Sequence, residues 1–276
     1  MKMARLSVML RCGGFVIALV MGTTATAADE NATELAKKAQ NPVADMISVP
    51  FQYNANYNYG PLNKRQDVLN IQPVYPIHLD ADWNIITRTI IPIISQPAVV
   101  QNQDSTSGLG DIQFSAFLSP IKPTAGGWIW GAGAIAQFDT ANNDRLGQGK
   151  TALGPTAVML KITRTWVYGG LINNLWSVSG GDRPAVNQLL FQPFINYNFP
   201  NHPGRYLTFS PIVTANWKAQ GSGNEWTVPV GLGVGQIFRI GRLPVNGQVS
   251  GYYNVERPEN APNWQLRIQF ALLFPK

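Results

Sequence analysis

The sequence predicts an all-β protein, a transmembrane antiparallel β-barrel of about 12 strands and of outer-membrane type. Three observations carry this. Polar and apolar residues alternate along most of the chain after residue 48, as in Val49–Tyr59, VPFQYNANYNY, where Gln52, Asn54, Asn56 and Asn58 separate apolar or aromatic neighbours. A period of two marks a strand with one oily and one polar face. The connections between such runs alternate between short turns and longer polar loops, and the aromatic residues gather at the ends of the runs rather than at their middles.

The chain opens with Lys2, Arg5 and Arg11, an apolar run from Phe15 to Met21, and Ala25-Thr26-Ala27. This is the three-part pattern of a secretory signal peptide, expected over residues 1–27. The apolar run is shorter than the roughly 20 residues a spanning helix needs. Cleavage after Ala27 removes three positive charges and no negative one, so the formal net charge of +6 falls to +3. The basic balance is therefore weak support for nucleic acid, and no basic run or Arg-rich motif adds to it. Cys12, the only cysteine, lies before the apolar run and leaves the mature chain without a thiol. Only 13% of residues are charged, roughly half the usual soluble fraction, and a chain rich in glycine, proline and tryptophan suits strands and turns.

Residues 28–47 form a separate N-terminal segment, expected in the periplasm. Thr33–Gln40, TELAKKAQ, is a short helix candidate stopped by Asn41-Pro42. It is either a mobile tail or a segment that tucks into a barrel mouth. Residues 48–276 form the barrel, with strands expected near 48–59, 67–79, 82–94, 109–119, 127–138, 151–162, 164–178, 187–199, 205–218, 225–238, 242–255 and 263–274. Each suffices for the roughly 9–11 residues a tilted strand needs to cross a bilayer. The polar loops Gln96–Gly108, Asp139–Lys150, Ser179–Val186 and Glu256–Pro262 then lie outside, and the connections Asp80-Ala81, Pro120–Gly126, Thr163, Asn201–Gly204 and Arg239–Gly241 lie in the periplasm.

With the first strand running outward, Trp83, Trp128, Trp130, Trp166 and Phe274 fall at periplasmic ends. Trp176, Trp217, Trp226 and Trp264 fall at external ends. These residues form a membrane-interface girdle in contact with outer-membrane lipid. In hydrocarbon every backbone N–H and C=O must be paired, so the sheet has to close. The last strand, WQLRIQFALLF, therefore meets the first. It resembles the C-terminal strand by which the barrel-assembly machinery recognises outer-membrane barrels.

The opposite phase faces an enclosed lumen, with Gln72, Asn84, Arg88, Ile90, Ile94, Asp111, Gln113, Gln192, Asn196, Gln248 and Arg267 as candidate lining residues. Most are neutral amides. Arg88, Asp111, Lys161, Glu225 and Arg267 are the charges in this phase, too few for the charged ring of an ion-selective pore. Arg88 and Asp111 lie on neighbouring strands and are expected either to pair or to meet a solute. Inward glycines, Gly231, Gly233 and Gly235 with Gly131 and Gly133, either relieve strain or leave room for a ligand or an inserted segment. No catalytic, cofactor or metal site is expected. His78 and His202 stand far apart, and the chain has no GxSxG and no P-loop.

ELAKKAQNPVADMISVPFQYN, LNIQPVYPIHLDADWNIITRTIIPII, GLGDIQFSAFLSP and LGPTAVMLK resemble the family of outer-membrane transporters named for the phenol meta-cleavage degradation pathway. The similarity extends over most of the mature chain and rests on strand and turn motifs. It implies a small barrel passing hydrophobic or aromatic compounds. The residues themselves favour passive passage of small neutral or hydrophobic molecules in the cell outer membrane. The alternatives are a filled-lumen structural or surface-attachment barrel and, further off, a lipid-modifying barrel enzyme.

Overall fold

A computed structural model of the protein describes residues 26–275. The expected signal peptide lies outside the described residues except for Thr26 and Ala27, which open helix α1 (Thr26–Ala39). Fifteen antiparallel segments follow: β1 (Ile47–Tyr59), β2 (Lys64–Ile71), β3 (Val74–His78), β4 (Trp83–Gln96), β5 (Thr106–Leu109), β6 (Gln113–Pro120), β7 (Trp128–Gln137), β8 (Thr151–Ile162), β9 (Trp166–Ser179), β10 (Asn187–Asn198), β11 (Arg205–Phe209), β12 (Val213–Asn216), β13 (Trp226–Ile240), β14 (Leu243–Glu256) and β15 (Trp264–Phe274). β2 with β3, β5 with β6, and β11 with β12 are each one stave interrupted by two or three residues, so the segments make twelve staves. These are the twelve strands that the alternation predicts.

The sheet is closed. β1 pairs with β15 from Ile47↔Phe274 to Tyr57↔Trp264, and successive staves pair around the ring through β9 and β10. Closure leaves no edge, the condition that hydrocarbon imposes on any sheet. No described helix is long and apolar enough to cross a membrane.

The three interruptions have local causes. Pro73 and Pro211 have no N–H for a ladder, and Gly110 leads the third break. Each break supplies a lumen group: Gln72, Asp111 and Ser210. Backbone pairing resumes around them through Gln72 N to Pro50 O (2.8 Å), Gly110 N to Pro92 O (2.9 Å) and Thr89 N to Pro73 O (3.1 Å).

Outward positions are apolar and exposed: Leu232 is 55% exposed and Phe270 50%. In water so continuous an apolar face would drive association; against lipid tails it is the stable surface. Aromatic rings pair at both rims. Trp83–Trp130 (centroids 6.0 Å apart), Trp128–Tyr168 (5.9 Å) and Trp166–Tyr197 (4.8 Å) stand at the tight-turn end, with exposed Phe274. Trp217–Trp226 (5.5 Å) and Tyr253–Trp264 (4.8 Å) stand at the loop end, as does exposed Trp176.

One expected inward charge lies outside. Leu153 and Met159 are exposed, and Lys161 shares their phase, with its Nζ 5.8 Å from the Trp128 ring centroid. Val158 and Leu160 are the buried, inward residues instead. In VMLKI both phases carry apolar side chains, because this part of the interior is itself apolar, so polarity does not mark the inside there.

The helix is longer than TELAKKAQ. Lys37 and Lys38 occupy its last turn, where cations oppose the negative end of the helix dipole. Leu35 and Ala36 are buried with Ala44, Met46, Tyr206, Ile237, Ala271 and Leu273. Beyond the helix, Val43 enters a second buried cluster with Ile86, Phe117, Val158, Leu160 and Phe194. Residues 32–46 thus sit in the tight-turn end of the barrel.

Candidate functional site

The N-terminal segment is fastened around the rim by polar contacts. Gln40 and Asn198 exchange side-chain hydrogen bonds at 3.0 and 3.2 Å. His78 Nε2 lies 2.9 Å from an Asp45 carboxylate oxygen, and Gly204 N donates to Thr33 Oγ1 at 3.4 Å. His78 is therefore an exposed rim residue held to the segment. His202 is exposed in its turn. Gly131 has a specific use: a Cβ there would lie 3.2 Å from Val43 Cγ1, so the glycine makes room for the inserted segment.

Above the segment the lumen holds two cavities. The inner one, about 160 Å³, is floored by residues 39–46 and walled by polar side chains, among them Asn196, Gln248 and Arg267. The outer one, about 230 Å³, mixes Ile90, Phe117 and Leu190 with Asp111, Gln113 and Asn173. Gln72, Arg88 and Gln192 line both cavities and so mark the boundary between them. Of the eleven lumen candidates, nine line one cavity or both. Asn84 and Ile94 line neither. Asn84 is buried below, toward the tight turns, and among the described residues its Oδ1 accepts no hydrogen bond. Ile94 lies beyond the outer cavity, against Gly110.

Arg88 and Asp111 do not pair. Arg88 donates to Gln72 Oε1. Asp111 instead anchors the loop of residues 138–150, accepting from Gln148 N at 2.6 Å, Ala141 N at 3.2 Å and Gln137 Nε2 at 3.5 Å. The physical reason is supply. The loop folds inward and presents backbone donors that were invisible in a strand-by-strand reading. Gln148 Oε1 also accepts from Gln137 Nε2 at 3.2 Å, and Gln148 Nε2 donates to Gln188 Oε1 at 3.1 Å. The loop thereby spans from β7 to β10 and narrows the external mouth.

Arg267 is buried within neutral oxygens. It donates to Ser210 O (3.0 Å), Gln265 Oε1 (3.1 Å) and Asn54 Oδ1 (3.3 Å), and its guanidinium carbon lies 4.7 Å from the centre of the Tyr252 ring. Tyr252 Oη donates to the same Ser210 carbonyl at 3.1 Å. Tyr206 is likewise buried, donating to Asn246 Oδ1 at 2.9 Å and lying 3.3 Å from Gln248 Oε1. Sequence reasoning missed both tyrosines by assigning aromatic rings to lipid. A signal was present: in Tyr252-Tyr253 adjacent strand residues face opposite sides, so one ring had to point inward.

Gly235 stands under the Tyr206 ring, and a Cβ there would overlap it. Because Tyr206 is held by two amides, Gly235→Ala is expected to force the ring off its partners and to destabilise the barrel by about 1–3 kcal/mol. A lowered urea midpoint of the heat-modifiable folded form checks this; an unchanged midpoint would show that the ring is free to move.

Among the described residues no group of three or more histidine, cysteine or carboxylate side chains is placed to hold a metal.

No family model matches the chain, and no curated protein does. Solved structures do. A crystal structure of an outer membrane channel from Pseudomonas putida F1 matches with a TM-score of 0.62 at 16% identity, covering 83% of this chain and 94% of that one. The NanC porin matches with a TM-score of 0.51 at 10% identity, covering 83% of this chain and 100% of the porin. At these identities the likeness is one of fold, and it places the chain among outer-membrane β-barrels.

Proposed function

We propose that this protein resides in the outer membrane, after export directed by residues 1–27, and passes small neutral or hydrophobic molecules, aromatic ones included, without input of energy. The observation that carries the reading is the interior: two cavities meeting at Gln72, Arg88 and Gln192 between an N-terminal segment at one mouth and an inward loop at the other. Their volumes suit solutes the size of a single ring. The outer cavity sets Ile90, Phe117 and Leu190 among its polar groups, a mixed surface that suits weakly polar ligands, and an ion would have to shed hydration where no charged ring compensates it. The resemblance to the phenol-pathway transporters points to the same solutes. The reading is non-catalytic, and residues 28–47 act as the periplasmic closure.

Expression in a porin-poor outer membrane is expected to speed uptake of labelled phenol or toluene several-fold, and to do much less for phthalate, a dianion of similar size. Ile90→Asp together with Leu190→Asp should weaken the aromatic effect with the folded band retained. Equal gains for phthalate would make the barrel a general pore. No gain for any solute would favour the filled-lumen reading, to which the seated segment and the inward loop also lend themselves.

A further inference from the structure

The lumen carries a charge imbalance that the passage reading does not use. Arg88 and Arg267 both line the inner cavity. Among the described residues neither forms an ion pair, the pairs found being Lys37–Glu34, Arg65–Asp67, His78–Asp45 and Arg183–Asp144. Asp111, the carboxylate lining the outer cavity, already accepts from three N–H groups. Arg267 is fixed by its three neutral acceptors and serves as a standing positive charge. Arg88 differs. A guanidinium has five N–H donors, and among the described residues Arg88 spends one, on Gln72.

A buried cation that lacks an anionic partner is costly, and a charge-assisted bond to a carboxylate offsets that cost better than a neutral acceptor does. In a low-dielectric passage two such charges also focus a positive potential along the route. The position is selective as well, since Arg88 lines both cavities at their boundary. On the outer side of that boundary stand Ile90, Pro92, Leu190 and Ile212, an apolar surface on which a ring can lie.

We infer that the boundary is a binding site for an apolar-bodied monocarboxylate, of which benzoate is the simplest aromatic case. The carboxylate meets Arg88, with Arg267 adding to the attraction, and the ring occupies the outer cavity. Naming this as a transported solute rests on the passage reading; the binding itself does not. A second carboxylate pointing into the outer cavity would meet apolar residues and the carboxylate of Asp111, so a dicarboxylate of that shape is disfavoured.

The test is calorimetric titration of the full chain in lipid nanodiscs, with empty nanodiscs as the blank. Benzoate should bind at one site. Benzamide, which keeps the shape and loses the charge, should bind at least tenfold more weakly to the unaltered protein, a comparison that needs no variant. Arg88→Gln should weaken benzoate at least tenfold with the folded band intact. Arg88→Lys should recover part of the loss, since it restores charge without the planar fork. Equal binding of benzoate and benzamide, or full benzoate affinity in Arg88→Gln, overturns the inference. So does displacement of benzoate by chloride at equal concentration, because the site would then be a bare charge. Failure here with phenol uptake intact leaves the passage reading standing. Benzoate binding with no uptake of any solute leaves the site and removes the passage.

Discussion

Replacing Leu232 by Arg is expected to abolish most of the folded, heat-modifiable form, whereas Gln113→Arg leaves most of it in place. Leu232 lies near the middle of β13, between the rim residues Trp226 and Phe238, and is more than half exposed on the outer face. Arg at the mid-bilayer of a barrel exterior costs about 2–4 kcal/mol, a shift of roughly thirty- to several-hundred-fold in the folding equilibrium. Gln113 lines the outer cavity beside Asp111, where a cation meets polar walls and a carboxylate rather than lipid tails. Val230→Arg should behave as Leu232→Arg does, since Val230 shares its phase and exposure. The measurement is the fraction of folded band after refolding into lipid vesicles. Comparable loss at Leu232 and Gln113 would sink the assignment of inside and outside.

The barrel was legible because its signals are local. Period-two alternation, turn chemistry and rim aromatics are each written into a few consecutive residues, and closure follows from hydrocarbon physics. What was not legible lies across the lumen. The polar half of the interior, such as Gln52, Asn54 and Asn56, shows itself by contrast with lipid-facing neighbours. The apolar half does not: Val158, Leu160, Val167 and Leu171 are buried inward but look like any lipid-facing residue. They are apolar because Val43 packs against the cluster they form, a contact more than a hundred positions away in the chain. The same holds for Asp111. Two of its three partners, Ala141 N and Gln148 N, come from the loop of residues 138–150, whose inward fold no periodicity announces. Arg88 and Arg267 were found as inward charges, but their lack of a carboxylate became visible only once Asp111 was seen to be engaged elsewhere.

Deleting residues 28–44 is expected to raise single-channel conductance several-fold while the barrel still assembles. The sheet needs none of these residues, since its ladders run from Ile47 onward and its seam joins β1 to β15. What the deletion removes is packing. Leu35, Ala36, Val43 and Ala44 leave two buried clusters, and water replaces them against Ile86, Phe117 and Phe194. That exposure costs stability at about 25 cal/mol per Å² of apolar surface, so a lowered urea midpoint should accompany the gain in conductance. The rise has a ceiling, because the loop of residues 138–150 still narrows the external mouth. Two restrictions in series add their resistances, and removing the inner one reveals the outer. Asp111→Leu, which deprives that loop of its carboxylate anchor, should therefore add little in the full-length chain and considerably more in the deletion. Planar-bilayer recordings of the four proteins decide it. If the deletion folds and conducts no better than the full chain, residues 28–44 are not the closure; if Asp111→Leu acts equally in both backgrounds, the two mouths are not in series.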